Sequence, residues 1–370
     1  MRSFEVAALA GVHRSTVSRA LNPATAHLVN EATRQRVMAA VEQLSYHTNV
    51  FARSLKTRRS FTVGVVIPDI TSLFPPVTRG ADDVLHQHGY YSLVGYNDED
   101  PQRTQWYLEH LQQRHVDGLI VAVARRSDPP LEDFASRGVP IVLVNRRTDD
   151  DRIPSVTVDG RPGITAVVQH LAKLGHTRIA CIAAPQDTST GHDRLVYFRE
   201  AADSLGLGQP PGLLAEATGV TIAEGQRICT EFLERAEPPT AIVAANDTMA
   251  LGCLDALRLR GMRCPDDVSV VGFNDVPFAE RIAPALTTVR FDHYKMGAIA
   301  AQILLGKIGV IEPAASDHVS LPSELVVRES TGPVKGTPLR EGDGSRSGGD
   351  VSAQLDLIER TLRDLKERLS

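Results

Sequence analysis

The chain has 370 residues and a mass of 40.1 kDa, enough for two or three domains of ordinary size. With 42% hydrophobic and 23% charged residues it reads as globular, and no run approaches the roughly 18 apolar residues of a spanning helix. That excludes collagen-like, mucin-like and transmembrane chains. The net charge of −5 is unevenly spread: residues 1–60 carry nine Lys and Arg against three Asp and Glu, residues 331–370 balance at seven each, and the middle holds an excess of eleven acids. A basic head on an acidic body implies that the head alone meets a polyanion.

A first short helix is predicted over 4–10, with Val6, Ala7, Leu9 and Ala10 as its apolar positions, and Gly11 breaks it. A second follows over 13–21. Its Val17, Ala20 and Leu21 fall at i, i+3 and i+4 and so face a core, which leaves Arg14, Ser15, Ser18 and Arg19 outward. Asn22-Pro23 closes it. A third fits 30–44, with Asn30 as N-cap, Glu31 in the first turn and Val37, Val41 and Leu44 as the inner stripe. Two short helices joined by a glycine turn and braced by a third make a helix-turn-helix. The second helix fits a major groove, where Arg14 and Arg19 suit guanine while Ser15 and Ser18 suit bases or phosphates.

From residue 61 the pattern changes to apolar runs alternating with amphipathic helices. Parallel-type strands are predicted at 61–67, 91–96, 118–123 and 139–144, then at 178–183, 241–245 and 268–273. Helices are expected at 77–87, 103–114 and 130–137 in the first series, and at 164–174, 194–205, 222–235 and 248–260 in the second. This is a doubly wound α/β plan, twice over, whose ligands bind beyond the carboxyl ends of the strands. Those ends are polar: Pro68-Asp69, Asn97-Asp98, Asn145-Arg146, Asn246-Asp247 and Asn274-Asp275. Singly, each is as well explained as a turn or helix cap. Five in concert favour a crevice for a polyhydroxylated ligand.

Enzymatic signatures are missing: there is no G-x-S-x-G, Walker A loop or HExxH, so no catalytic residue, metal or cofactor is expected. His170 and His176 lack helical ligand spacing and read as structural. Cys181, Cys229, Cys253 and Cys264 form no CxxC pair and are expected to be buried and reduced. Met1 to Glu5 lacks the apolar run of a secretory signal, which gives the expectation of a cytoplasmic protein without membrane contact. Residues 332–350, rich in Gly, Pro and Ser, read as a flexible connector. Beyond them Val351, Leu355, Ile358, Leu362, Leu365 and Leu369 are spaced 4, 3, 4, 3 and 4 apart. That heptad seam implies self-association.

Several motifs together resemble the lac repressor (LacI/GalR) family of transcriptional regulators. In the head they are Glu5-Val6-Ala7-Ala8-Leu9-Ala10-Gly11-Val12, Ser15-Thr16-Val17-Ser18-Arg19-Ala20-Leu21-Asn22, Thr33-Arg34-Gln35-Arg36-Val37 and Leu44-Ser45-Tyr46-His47-Thr48-Asn49. His13 stands where the family commonly has a capping Ser. In the body, the stretches from Gly163 to Ala180, Pro239 to Gly252, Asp267 to Asp275 and Pro284 to Arg290 match further family motifs. The resemblance implies a helix-turn-helix head (1–48), a hinge helix and linker (49–60) and a two-lobed periplasmic-binding-protein-like body (61–331), followed by the linker (332–350) and oligomerisation helix (351–370). It implies DNA contacts from Arg14, Ser15, Thr16, Ser18, Arg19, Asn22, Asn49, Ala52, Arg53 and Leu55, with Leu55 wedged into the minor groove. It places Asp69, Phe74, Arg194, Asn246, Asp275 and Phe291 around an effector cleft. In that cleft Arg194 would clamp hydroxyls or a carboxylate, Asp275 would accept from hydroxyls and the two phenylalanines would pack on a ring. The implied function is a repressor of sugar uptake or catabolism genes acting on a palindromic operator as a dimer of dimers. A nucleoside, nucleobase or other non-sugar metabolite as effector is the alternative.

Overall fold

The computed structural model describes residues 3–21, 25–44, 59–69, 73–208 and 212–334. The expected hinge with Asn49, Ala52, Arg53 and Leu55, the expected contact Asn22, and the heptad residues from Val351 to Leu369 lie outside these.

Among its described residues the head has three α-helices, α1 (Ser3–Ala10), α2 (Arg14–Ala20) and α3 (Glu31–Gln43). Their common core is Val6, Ala7, Ala10, Val17, Ala20, Val37 and Ala40. Gly11 ends α1 in the left-handed region at φ 65°, as its lack of a Cβ permits. His13 does cap α2 despite the departure from serine: its Nδ1 accepts from the Ser15 amide at 3.3 Å. Asn30 caps α3 as expected, its Oδ1 accepting from the Thr33 amide at 2.8 Å.

The body has two lobes. In the first, a wholly parallel sheet is built from β1 (Thr62–Ile67), β2 (Tyr91–Tyr96), β3 (Gly118–Val121), β4 (Ile141–Val144) and β5 (Ser155–Val158), with β11 (His318–Leu321) returning from far along the chain; its order is β11-β5-β4-β3-β1-β2. Helices α4 (Phe74–Gln87) and α11 (His293–Lys307) cover one face. Helices α5 (Pro101–Gln113) and α6 (Pro129–Ser136) cover the other. Pro75 and Pro76 sit in the first turn of α4, where a missing N–H costs nothing, so the helix starts three residues earlier than its apolar periodicity predicts.

The second lobe repeats the plan with β6 (Ile179–Ala183), β7 (Leu214–Glu216), β8 (Ala241–Ala244) and β9 (Ser269–Val271) in the order β7-β6-β8-β9. Helices α7 (Arg161–Lys173) and α8 (Ser189–Ser204) line one face. Helices α9 (Ile222–Leu233) and α10 (Asp247–Leu259) line the other. A short antiparallel pair, β10 (Thr288–Arg290) with β12 (Glu324–Val326), completes this lobe. The chain crosses between lobes near 159–160, 291–292 and 322–323. Strand order reverses at β1 and at β6, and a switch point of this kind opens a crevice.

Glycines set two helix pairs at backbone contact. A Cβ on Gly80 of α4 would collide with the Tyr294 carbonyl of α11, and one on Gly297 with the Val77 carbonyl. The same reciprocity joins α9 and α10 through Gly225, against Met249, and Gly252, against Ile222.

Candidate functional site

On the head, the apolar residues of α2 turn inward and leave Arg14, Ser15, Ser18 and Arg19 exposed on one face, with Thr16 half-buried. Ser15 is held in place by His13, whose Nδ1 lies 2.9 Å from its hydroxyl. The result is a narrow cationic and hydroxyl-bearing ridge on a short, capped helix.

In the body, the ends of the two sheets face each other across the cleft, and polar groups bridge them. The Arg147 amide, after β4, donates to the Ser189 hydroxyl at 2.9 Å, and its Nη1 reaches Asp193 of α8 at 2.6 Å. The Arg126 amide donates to the Asp187 carbonyl at 2.8 Å, and Arg125 pairs with the Asp187 carboxylate. Arg146 is buried and makes a fork with Glu99, at 2.9 and 2.7 Å. Between the lobes lies a narrow cavity of about 20 Å³ whose walls include Asn145, Thr157, Thr190, Arg194, Tyr197 and Phe273.

Arg194 is the central group. Its guanidinium lies flat on Phe273, 3.6 Å from the ring centroid, as a cation over a π face. Nη1 donates to the Ala245 carbonyl at 2.7 Å and Nη2 to Asn274 Oδ1 at 3.3 Å. Burial pushes its pKa down to about 9, so it remains a cation at neutral pH.

The structure sorts the six expected effector residues. Arg194, Phe291 and the Asn274 end of β9 come together, and the Phe291 ring lies 6.3 Å from Phe273. Phe74, at the start of α4, is buried in the same apolar cluster as Phe291. Asp69 is half-buried just beyond β1. Asn246 serves as the N-cap of α10, its Oδ1 accepting from the Met249 amide at 2.9 Å. Asp275 is not an open acceptor for hydroxyls: Arg290 Nε holds one oxygen at 2.6 Å and Arg328 Nη2 the other at 2.7 Å. Its neighbour Asn274 meets Arg194 instead. Both residues have left-handed backbones, at φ 113° and 53°, which decides the direction of each side chain. Asp247 is fully buried, its Oδ1 accepting from the Thr288 hydroxyl and its Oδ2 from the Val276 amide, and burial pushes its pKa up to about 6.

Phe273, Tyr197 and the Arg147–Asp193 bridge escape sequence reasoning. Phe273 ends an apolar run and reads as strand core. Nothing local to Asp193 signals that it will meet Arg147 from the other lobe.

A helix-turn-helix joined in one chain to a two-lobed binding body defines a DNA-binding regulator with a small-molecule cleft. Comparison with known proteins sharpens the class. Residues 4–49 match the model described as bacterial regulatory proteins, lacI family, and residues 168–331 match a periplasmic binding protein-like domain. The HTH-type transcriptional regulator RegA of Clostridium saccharobutylicum is 36% identical over 329 residues, covering 88% of this chain and 98% of that protein. The ribose operon repressor of Bacillus subtilis (strain 168) is 33% identical over 328 residues, or 88% and 97% of the two chains. The crystal structure of the lac repressor dimer bound to operator and the anti-inducer ONPF superposes with a TM-score of 0.78 at 26% identity, covering 90% of this chain and 99% of that one. The chain belongs to the lacI family. Its relatives are transcriptional regulators and not enzymes. Among the described residues no helix is long and apolar enough to cross a membrane.

Proposed function

We propose that the protein is a cytoplasmic repressor of genes for sugar uptake or catabolism, released from or fixed on its operator by a small molecule bound between the lobes. The observation that carries this reading is Arg194 stacked on Phe273 beside the amide of Asn274, within a cavity bounded by both lobes. The exposed face of α2 enters the major groove, where Arg14 and Arg19 meet guanine and the serines meet bases or phosphates. A dimeric body sets two heads at half-site spacing, so the operator is an imperfect palindrome. Residues 49–60 form the hinge and Leu55 wedges into the minor groove; residues 351–370 join two dimers. The effector binds the two states of the body unequally, by a coupling of about 1–3 kcal/mol.

Thermal-shift screening of the full chain against sugars, sugar phosphates and nucleosides tests the cleft, because a ligand of the folded state raises Tm by mass action. Hits are then tested for a change in operator affinity. A sugar that shifts both confirms the mechanism; a ligand that shifts Tm without altering DNA binding refutes the regulatory coupling. The aromatic pair Phe273 and Tyr197 favours a second reading, a nucleoside whose base stacks there, and the same screen separates the two. Sedimentation of a chain ending at Gly336 tests the tail: equal size to full length removes the tetramer.

A further inference from the structure

Arg194 is a cation without a matching anion. Of its five N–H donors, two are taken in the structure, both by neutral acceptors, the Ala245 carbonyl and the Asn274 amide oxygen. Among the described residues no carboxylate forms an ion pair with it. The acids around it are engaged elsewhere: Asp193 holds Arg147, and Asp247, which acts on Arg194 only through space, spends its oxygens on Thr288 and the Val276 amide. Asp275 lies between Arg290 and Arg328, while Glu99 is forked by Arg146, whose own charge repels Arg194. A desolvated guanidinium held by two neutral acceptors is costly, and an oxyanion on its open edge would relieve that cost through two parallel charged hydrogen bonds. A second group in the same cavity is incomplete: Asn145 Oδ1 is buried without a hydrogen-bond partner and suits a ligand hydroxyl.

We propose that the effector carries an oxyanion, a carboxylate or a phosphate on a polyhydroxylated skeleton, which docks on Arg194 while a hydroxyl donates to Asn145. The proposal rests on the reading of the cleft as the effector site, and it deepens that reading by fixing the ligand's charge. An amide at position 274, where a carboxylate would have neutralised the arginine, is what opens the site to an anion.

The test is calorimetric titration of the full-length protein with matched neutral and anionic compounds: glucose against glucuronate and glucose 6-phosphate, and ribose against ribose 5-phosphate, with adenosine beside them. An anionic compound is expected to bind at least about tenfold tighter than its neutral partner, as a charged hydrogen-bonded contact allows. Whether the uronate or the phosphate leads identifies the anion. Arg194→Gln is expected to erase the preference, and Arg194→Lys, which keeps the charge and loses the fork, to retain part of it. Equal binding of a neutral sugar, or an unchanged preference in Arg194→Gln, overturns the oxyanion and leaves the sugar-effector reading in place. Tight binding of adenosine alone, or of none of these compounds, overturns both.

Discussion

The head and the body bury their apolar residues on different scales. The head closes around valines and alanines, with Val6, Val17 and Val37 its largest fully buried side chains. The lobes bury whole rings and leucines, among them Tyr90, Phe232, Phe273, Leu108 and Leu171. Since the free energy gained follows the apolar area removed from water, the head has little in reserve and the lobes have much. A weakly held head profits from docking on a rigid partner such as a DNA groove, whereas a solid body can carry a cleft of fixed geometry.

The largest expected effect is on the body. Phe273→Ala removes a fully buried ring and the surface beneath Arg194, and should cost the body about 3–5 kcal/mol. Scanning calorimetry should show the body transition lowered and a head transition unmoved; a common shift would mean that the two melt as one. Val37→Ala does the reverse, removing two buried methyl groups from a small core at a cost of about 2 kcal/mol, and should shift the head transition alone.

Arg19→Ala leaves both cores intact and tests the ridge itself. Operator binding should weaken by roughly 1–3 kcal/mol where the arginine reads a base, and the loss should be confined to the cognate sequence. An equal loss on every duplex makes it a phosphate contact instead.

The smallest effect is one of pH. His176 is buried between the Thr240 hydroxyl and the Gly332 carbonyl, and burial holds its pKa below the ordinary value. The folded body then binds fewer protons than the unfolded chain, so stability present above the unfolded value of about 6.5 is lost as pH falls from there through the lowered folded value. Asp247 works with the opposite sign: held up at about 6, it adds relative stability as pH drops below that point. Replacing His176 by Gln should flatten the fall in body Tm between neutral and mildly acid solution, and an unaltered slope would discount the histidine.

Much of this architecture is legible in the chain because buried parallel strands are apolar throughout. Strands such as 118–121 and 141–144 announce themselves in this way. Others do not. β5, β11 and β10 carry Ser155, Thr157, His318, Ser320 and Arg290 within only three or four residues, and the pairing of β5 with β11 joins segments more than a hundred residues apart. Helix α11 is missed for another reason. Met296, Gly297, Ala300, Ala301, Ile303, Leu304 and Leu305 are all buried, so no polar face marks its period. In the cleft, residue types at the strand ends predict a polar site, yet which partners Asp275 and Asn274 each meet turns on two backbone angles. A reading of side-chain chemistry alone has no access to those angles.

The reciprocal glycines of α4 with α11, and of α9 with α10, have a bearing on how a signal travels. Helices locked at backbone distance cannot slide or roll past one another without steric collision, so each lobe is geared solid. A molecule entering the cleft therefore has little softness to exploit inside either half. In the regulator proposed above, its message would be a change of posture between two stiff blocks, pivoting on the three connecting segments of chain.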